Sequence, residues 1–191
     1  LATLAEATNV IAEGEVMQLM NMHDASLTPE AYMHVIESKT AKLFEASARL
    51  AAILHGADAP IEASCATYGA ALGTAFQLID DVLDYAGDAT EMGKNIGDDL
   101  REGKATLPLI VAMRQAKPDE QALVQTAIEN GDLSQLDAVV RIVRSCGALD
   151  ASLAFAQTQA QRAMDALAPL PEGVYKQALL ELPMLSLQRK T

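Results

Sequence analysis

Apolar residues recur every three to four positions along almost the whole chain, the pattern of helices that bury one side. Short turn signals cut this pattern into segments. A first helix is predicted over 1–22, where Asn21, His23 and Asp24 begin a loop. Thr28, Pro29 and Glu30 then supply a capping hydroxyl followed by proline at the first helical position. The helix they start is expected over 29–54 and stops at Gly56, and another covers 61–85. From 86 to 104 the chain is rich in glycine and aspartate, with Gly87, Gly93, Gly97 and Gly103, and reads as an ordered loop. Further helices are predicted over 107–114, 120–130, 133–145 and 148–167, with a last one kinked near Pro183.

Composition points the same way. Half of the residues are hydrophobic, but only 4% are aromatic and Trp is absent, so strand-forming side chains are sparse. Ala, Leu, Met, Gln and Glu, all good helix formers, dominate. The fold class expected is therefore all-α. No repeat, low-complexity tract or long linker divides the 191 residues, so a single helical domain over 1–191 is expected. The chain does not begin with methionine, and its first helix has no capping residue, which reads as a cut from something longer.

A net charge of −12 argues against a nucleic-acid surface, which needs clustered Lys and Arg. It leaves room for a small anion bridged by metal ions. No apolar run reaches the roughly 18 residues of a membrane span and no signal-peptide pattern is present, so a cytoplasmic location is expected. Cys65 and Cys146 sit on different predicted helices without metal-ligand spacing and read as buried, unpaired thiols. His23, His34 and His55 read as surface residues, Glu13 and Glu15 as solvated or dimer-facing. Met17, Met20, Met22 and Met33 suit gap-filling in a core.

The densest chemical signal is FQLIDDVLDY, residues 76–85. At about 100° per residue, Gln77, Asp80, Asp81 and Asp84 share one stripe of the helix, while Phe76, Ile79, Leu83 and Leu72 share another. Carboxylate oxygens are hard ligands, and Mg²⁺ prefers one or two of them plus water and phosphate oxygens. A bare triplet of acids is equally an ordinary solvated face, since exposed like charges cost only a few tenths of a kcal/mol each, about what helix pairs are worth. The next stretch of chain changes the balance. GKNIGDDLREGKATLP, residues 93–108, places Lys94 and Lys104 in a glycine-rich loop, where backbone N–H groups and lysine charges can meet phosphate oxygens. Acids leading into such a loop suit a diphosphate held between cations.

Lys39 interrupts the apolar stripe Tyr32, Ile36, Leu43, Ala46 and Leu50. It is either a snorkelling lysine at the edge of the core or a cation aimed into a cavity that holds an anion.

These residues resemble those of the trans-isoprenyl (polyprenyl) diphosphate synthases. FQLIDDVLD is similar to the second aspartate-rich motif of that family, and GKNIGDDLREGKATLPLI to the segment after it. AEGEVMQLMN and SKTAKLFEAS resemble the two helices before it. The resemblance spans nearly the whole chain and is strongest to long-chain bacterial members, with octaprenyl-like products for quinone side chains. It implies an isoprenoid-synthase-type helical bundle around a central cavity. There an allylic prenyl diphosphate is ionised with Mg²⁺ and condensed with isopentenyl diphosphate, in a homodimeric enzyme. Carried over by position, Asp80, Asp81 and Asp84 are metal ligands, with Asp80 the most direct. Lys39 and Lys94 contact the allylic diphosphate, Thr40 and Gln77 face the reacting carbons, Lys104 closes the loop, and Gln18 points into the cavity. Lys39, Thr40, Gln77 and Asp80 are thus the expected catalytic set. The family's first aspartate-rich motif and its basic isopentenyl diphosphate residues lie outside these 191 residues. The expectation is therefore the C-terminal part of a larger catalytic domain, inactive alone.

Two rival readings share much of this. A class I terpene cyclase or squalene-synthase relative would have the same fold and metals, but cyclases usually carry an Asn/Ser/Glu metal motif where Asp80, Asp81 and Asp84 stand. A non-catalytic subunit of a heteromeric synthase is the other, and the intact acids and lysines weigh against such decay.

Overall fold

The computed structural model describes residues 1–86, 96–131 and 133–189, and every regular element among them is helical. The chain runs through α1 (Ala2–Met20), α2 (Pro29–Ile36), a π-helical turn (Glu37–Ala41), α3 (Lys42–His55), α4 (Ala59–Ala86) and a single turn α5 (Asp98–Arg101). Beyond these come α6 (Leu107–Gln115), α7 (Pro118–Asn130), a 3₁₀ turn (Leu133–Gln135), α8 (Leu136–Ser145), α9 (Ala148–Ala166) and α10 (Val174–Leu187), which contains Pro183.

The caps obey the local chemistry. Thr28 Oγ1 accepts the Ala31 N–H at 3.2 Å ahead of Pro29, a contact worth about 1 kcal/mol to a helix start. Gly56 closes α3 in the left-handed conformation that a side chain resists.

By packing, the residues fall into two compact units. The first comprises Leu1–Val16, His34–Gln77 and Phe155–Arg189. Its core cluster is built from Tyr68, Ala71, Ala163 and Leu167, with Leu72, Leu179 and Leu180 packed against it. The Tyr68 hydroxyl donates to the Leu179 carbonyl at 2.9 Å, so the one polar tip in this cluster is satisfied. The second unit comprises Met17–Met33 and Leu78–Ala154. At its centre is α6, where Leu107 to Ala112 are all buried and α7 and α8 pack against the helix. Arg144 Nε donates to the Tyr85 carbonyl at 2.8 Å, so a cation satisfies the C-terminal end of α4.

The structure departs from the sequence pattern at one consequential place. The helix expected over 29–54 carries the π turn Glu37–Ala41. One extra residue in a turn rotates all later positions of the helix by about 100°. Leu43, placed on the apolar stripe by simple periodicity, is 54% exposed, and Ala41, off that stripe, is buried, although Ala46 on the stripe stays buried. Met20 is also exposed rather than filling a core. Cys65 and Cys146 are unpaired as expected, but half-buried. Among the described residues no helix is long and apolar enough to cross a membrane.

Candidate active site

Lys39, Thr40 and Gln77 belong to the first unit, and Gln18, Asp80, Asp81, Asp84 and Lys104 to the second. Lys94 lies outside the described residues.

In the first unit the π turn sets the geometry. Lys39 is half-buried, and its Nζ lies 3.2 Å from Glu15 Oε2 on α1. That approach depends on Gly14, because a Cβ there would lie 2.6 Å from the Lys39 backbone nitrogen. Thr40 Oγ1 donates to Gln77 Oε1 at 2.9 Å, locking two side chains 37 residues apart in sequence. Glu15 is exposed as expected, yet it is also the partner of Lys39. π turns of this kind often mark functional positions, because they re-aim side chains that a regular helix would turn elsewhere.

The second unit gathers the acids. Asp84 Oδ1 and Oδ2 accept the backbone N–H groups of Asp98 and Asp99 at 3.2 and 3.3 Å. Gly97 makes this possible: at φ +76° it turns the chain into α5 and gives its own N–H to the Asp84 carbonyl at 3.2 Å. Burial pushes the Asp84 carboxyl up to about 7, with the negative charge of Asp99 acting in the same direction. Burial also raises Asp99, although Lys104 pulls it the other way and Asp80 adds repulsion. Lys104 Nζ lies 3.5 Å from Asp99 and 2.6 Å from Glu102. Asp98 pairs with Arg101 at 3.1 Å. Asp81 is buried at 3% exposure and accepts the hydroxyl of Tyr32. Asp80 and Gln18 are half-buried.

These donors fit a hard divalent cation. They are all carboxylate oxygens, and burial, reinforced by neighbouring negative charge, raises both Asp84 and Asp99. Among the described residues no three His, Cys, Asp or Glu side chains form a group that could by themselves hold a metal ion.

The family model for polyprenyl synthetase matches residues 1–145 of the chain. The chain belongs to the polyprenyl synthetase family. The octaprenyl diphosphate synthase of Haemophilus influenzae is 49% identical over 190 residues, covering 99% of this chain and 58% of that protein. Its counterpart in Escherichia coli is 47% identical, covering 99% of this chain and 59% of that protein. A crystal structure of a polyprenyl synthase from Caulobacter crescentus CB15, complexed with calcium and isoprenyl diphosphate, matches with a TM-score of 0.94 at 42% identity. That match covers 100% of this chain and 59% of the other. The chain thus spans 58% to 59% of the length of these relatives.

In this polyprenyl synthetase family member, sequence reasoning singled out Asp80, Asp81, Asp84 and Lys104 but overlooked their neighbours. Asp98, Asp99 and Glu102 stand in the same loop as Lys104, yet no spacing rule says that Asp84 binds its backbone. Tyr32 stands on the apolar stripe and reads there only as core. The one sequence sign of the π turn is Lys39 itself, a charge where periodicity asks for an apolar residue.

Proposed function

We propose that the chain is the C-terminal part of the single helical catalytic domain of a trans-polyprenyl diphosphate synthase that is Mg²⁺-dependent, cytoplasmic and homodimeric. Its substrates are an allylic prenyl diphosphate and isopentenyl diphosphate. Its product is a long-chain, octaprenyl-like diphosphate for quinone side chains. The observation that carries this reading is the clasp of Asp84 by the N–H groups of Asp98 and Asp99, which joins the acidic end of α4 to the Asp99 that pairs with Lys104. Identities of 49% and 47% to octaprenyl diphosphate synthases support the product class. The Caulobacter relative, complexed with calcium and isoprenyl diphosphate, supports a divalent cation and a substrate of that chemistry.

In this reading the allylic C–O bond breaks and its electron pair leaves with the diphosphate. The isopentenyl double bond then forms the new C–C bond to the allylic carbon, and the adduct loses a proton. Asp80, with Asp81 and Asp84, would hold Mg²⁺. When bound, the ion supplies positive charge to the departing diphosphate. Lys39 and Lys94 bind the allylic diphosphate by charge. Thr40 and Gln77, fixed by their shared hydrogen bond, present oriented dipoles to the reacting carbons. Lys104, tethered to Asp99 and Glu102, closes one side against water, and Gln18 lines the site. These residues alone are inactive, because the first aspartate-rich motif that the reaction also requires lies outside them.

The test is incubation of the full-length protein with an allylic diphosphate and labelled isopentenyl diphosphate, with and without Mg²⁺, and then sizing of the products. Mg²⁺-dependent long linear chains are expected. Cyclic products or no incorporation would overturn the reading.

A further inference from the structure

The acids at the end of α4 are held by unlike partners. Backbone N–H groups clasp Asp84, whereas Asp81 takes the hydroxyl hydrogen of Tyr32, 49 residues away on α2. Both members of this second pair are buried, Tyr32 at 4% exposure and Asp81 at 3%. The plainest account is a satisfied polar contact that ties α2 to α4. One observation asks for more. A phenylalanine would fill the same space without burying a hydroxyl, so what tyrosine adds at this position is the hydrogen bond to the carboxylate.

A carboxylate at the end of a short side chain turns easily about its last torsion. Fixing one oxygen fixes the plane of the group. We propose that Tyr32 is a positioning residue: it holds the Asp81 carboxylate in one orientation and so tunes divalent-cation binding beside Asp80. The inference rests on the synthase reading of this site.

Tyr32→Phe in the full-length protein isolates the hydroxyl while keeping the ring. Isopentenyl diphosphate incorporation is measured across a Mg²⁺ titration, with folding checked by circular dichroism. Loss of a partner that orients a metal ligand costs about 10-fold to 100-fold in metal affinity, so the Mg²⁺ needed for half-maximal rate rises about 10-fold or more. The KM for isopentenyl diphosphate stays at the wild-type value. In an Asp81→Asn background, Tyr32→Phe adds much less, because the carboxylate it served is gone. A variant that melts earlier but shows the wild-type Mg²⁺ dependence has lost only a structural contact, and the proposal fails. If the wild type itself incorporates nothing, the synthase reading fails instead. The Mg²⁺-induced rise in melting temperature, compared between wild type and Tyr32→Phe, then decides the role of Tyr32, and equal rises overturn it.

Discussion

The Asp84 carboxylate accepts the Asp98 N–H at 3.2 Å, joining the acidic end of α4 to the turn that Gly97 starts. The contact draws Asp99 in as well, and its charge adds to the burial that raises Asp84.

That burial, reinforced by the charge of Asp99, makes stability depend on pH. Asp84 has an ordinary value of 3.8 and is pushed up to about 7, so between these values the folded chain binds a proton that the unfolded chain has released. Its contribution to stability is therefore fully present at low pH and is lost as pH rises through about 7. Asp99, also raised, acts with the same sign. Asp84→Asn removes the titrating charge, so its melting temperature relative to wild type should be higher at about pH 7.5 than at about pH 5, measured in chelator. Mg²⁺ should stabilise the wild type more at the higher pH. A difference between variant and wild type that does not change with pH would refute the assignment.

Asp80→Asn keeps the shape of the side chain and removes its charge. In the full-length protein, loss of such an electrostatic contribution should cost about 10²–10³-fold in turnover, about 3–4 kcal/mol. Lys94→Ala should instead raise the KM for the allylic diphosphate, with much of the rate recovered at high substrate. Asp119→Asn, on the exposed first turn of α7, is the control and should change little. An Asp80→Asn protein that folds and turns over within about threefold of wild type, well short of that range, would remove Asp80 from the metal site.

Gly14→Ala tests the seating of α1 on the π turn. The added Cβ would lie 2.6 Å from the Lys39 nitrogen and 2.9 Å from its Cα, both backbone atoms that cannot swing aside. Overpacking of this kind costs about 1–3 kcal/mol, of which a gain in helix propensity of about 1 kcal/mol returns only part. Denaturant unfolding should show a net loss, and the KM for the allylic diphosphate should rise because Lys39 is displaced. Wild-type stability in this variant would mean that α1 does not approach the turn so closely.

Assembly is the remaining prediction. α1 leaves Leu4, Val16, Leu19 and Met20 at 47%, 55%, 65% and 78% exposure, an apolar surface suited to a partner. Light scattering of the full-length protein at micromolar concentration should give a dimer, and Leu19→Glu should shift it toward monomer. A monomeric wild type would overturn this expectation.

Much of the fold was legible in the sequence because its causes act within a few residues. The 3.6-residue period marked the helices, Thr28 with Pro29 marked the start of α2, and Gly56 marked the end of α3. The same period put Asp80, Asp81 and Asp84 on one stripe, and family resemblance assigned them a role. The helix over 29–54 was only partly legible. A π turn is held by packing against it, and the close approach of α1 at Gly14 is not visible in the spacing of residues 37 to 41.

What the sequence determined by itself was helices, their ends and the stock of carboxylates and lysines, all consequences of local propensity and periodicity. Tertiary structure decided the partners: Glu15 for Lys39, Thr40 for Gln77, Tyr32 for Asp81, and the backbone of Asp98 and Asp99 for Asp84. These groups lie 14 to 49 residues apart, beyond the reach of any local rule. Which donor meets which acceptor depends on how buried faces pack, and a buried carboxylate then takes whatever donor that packing brings within reach.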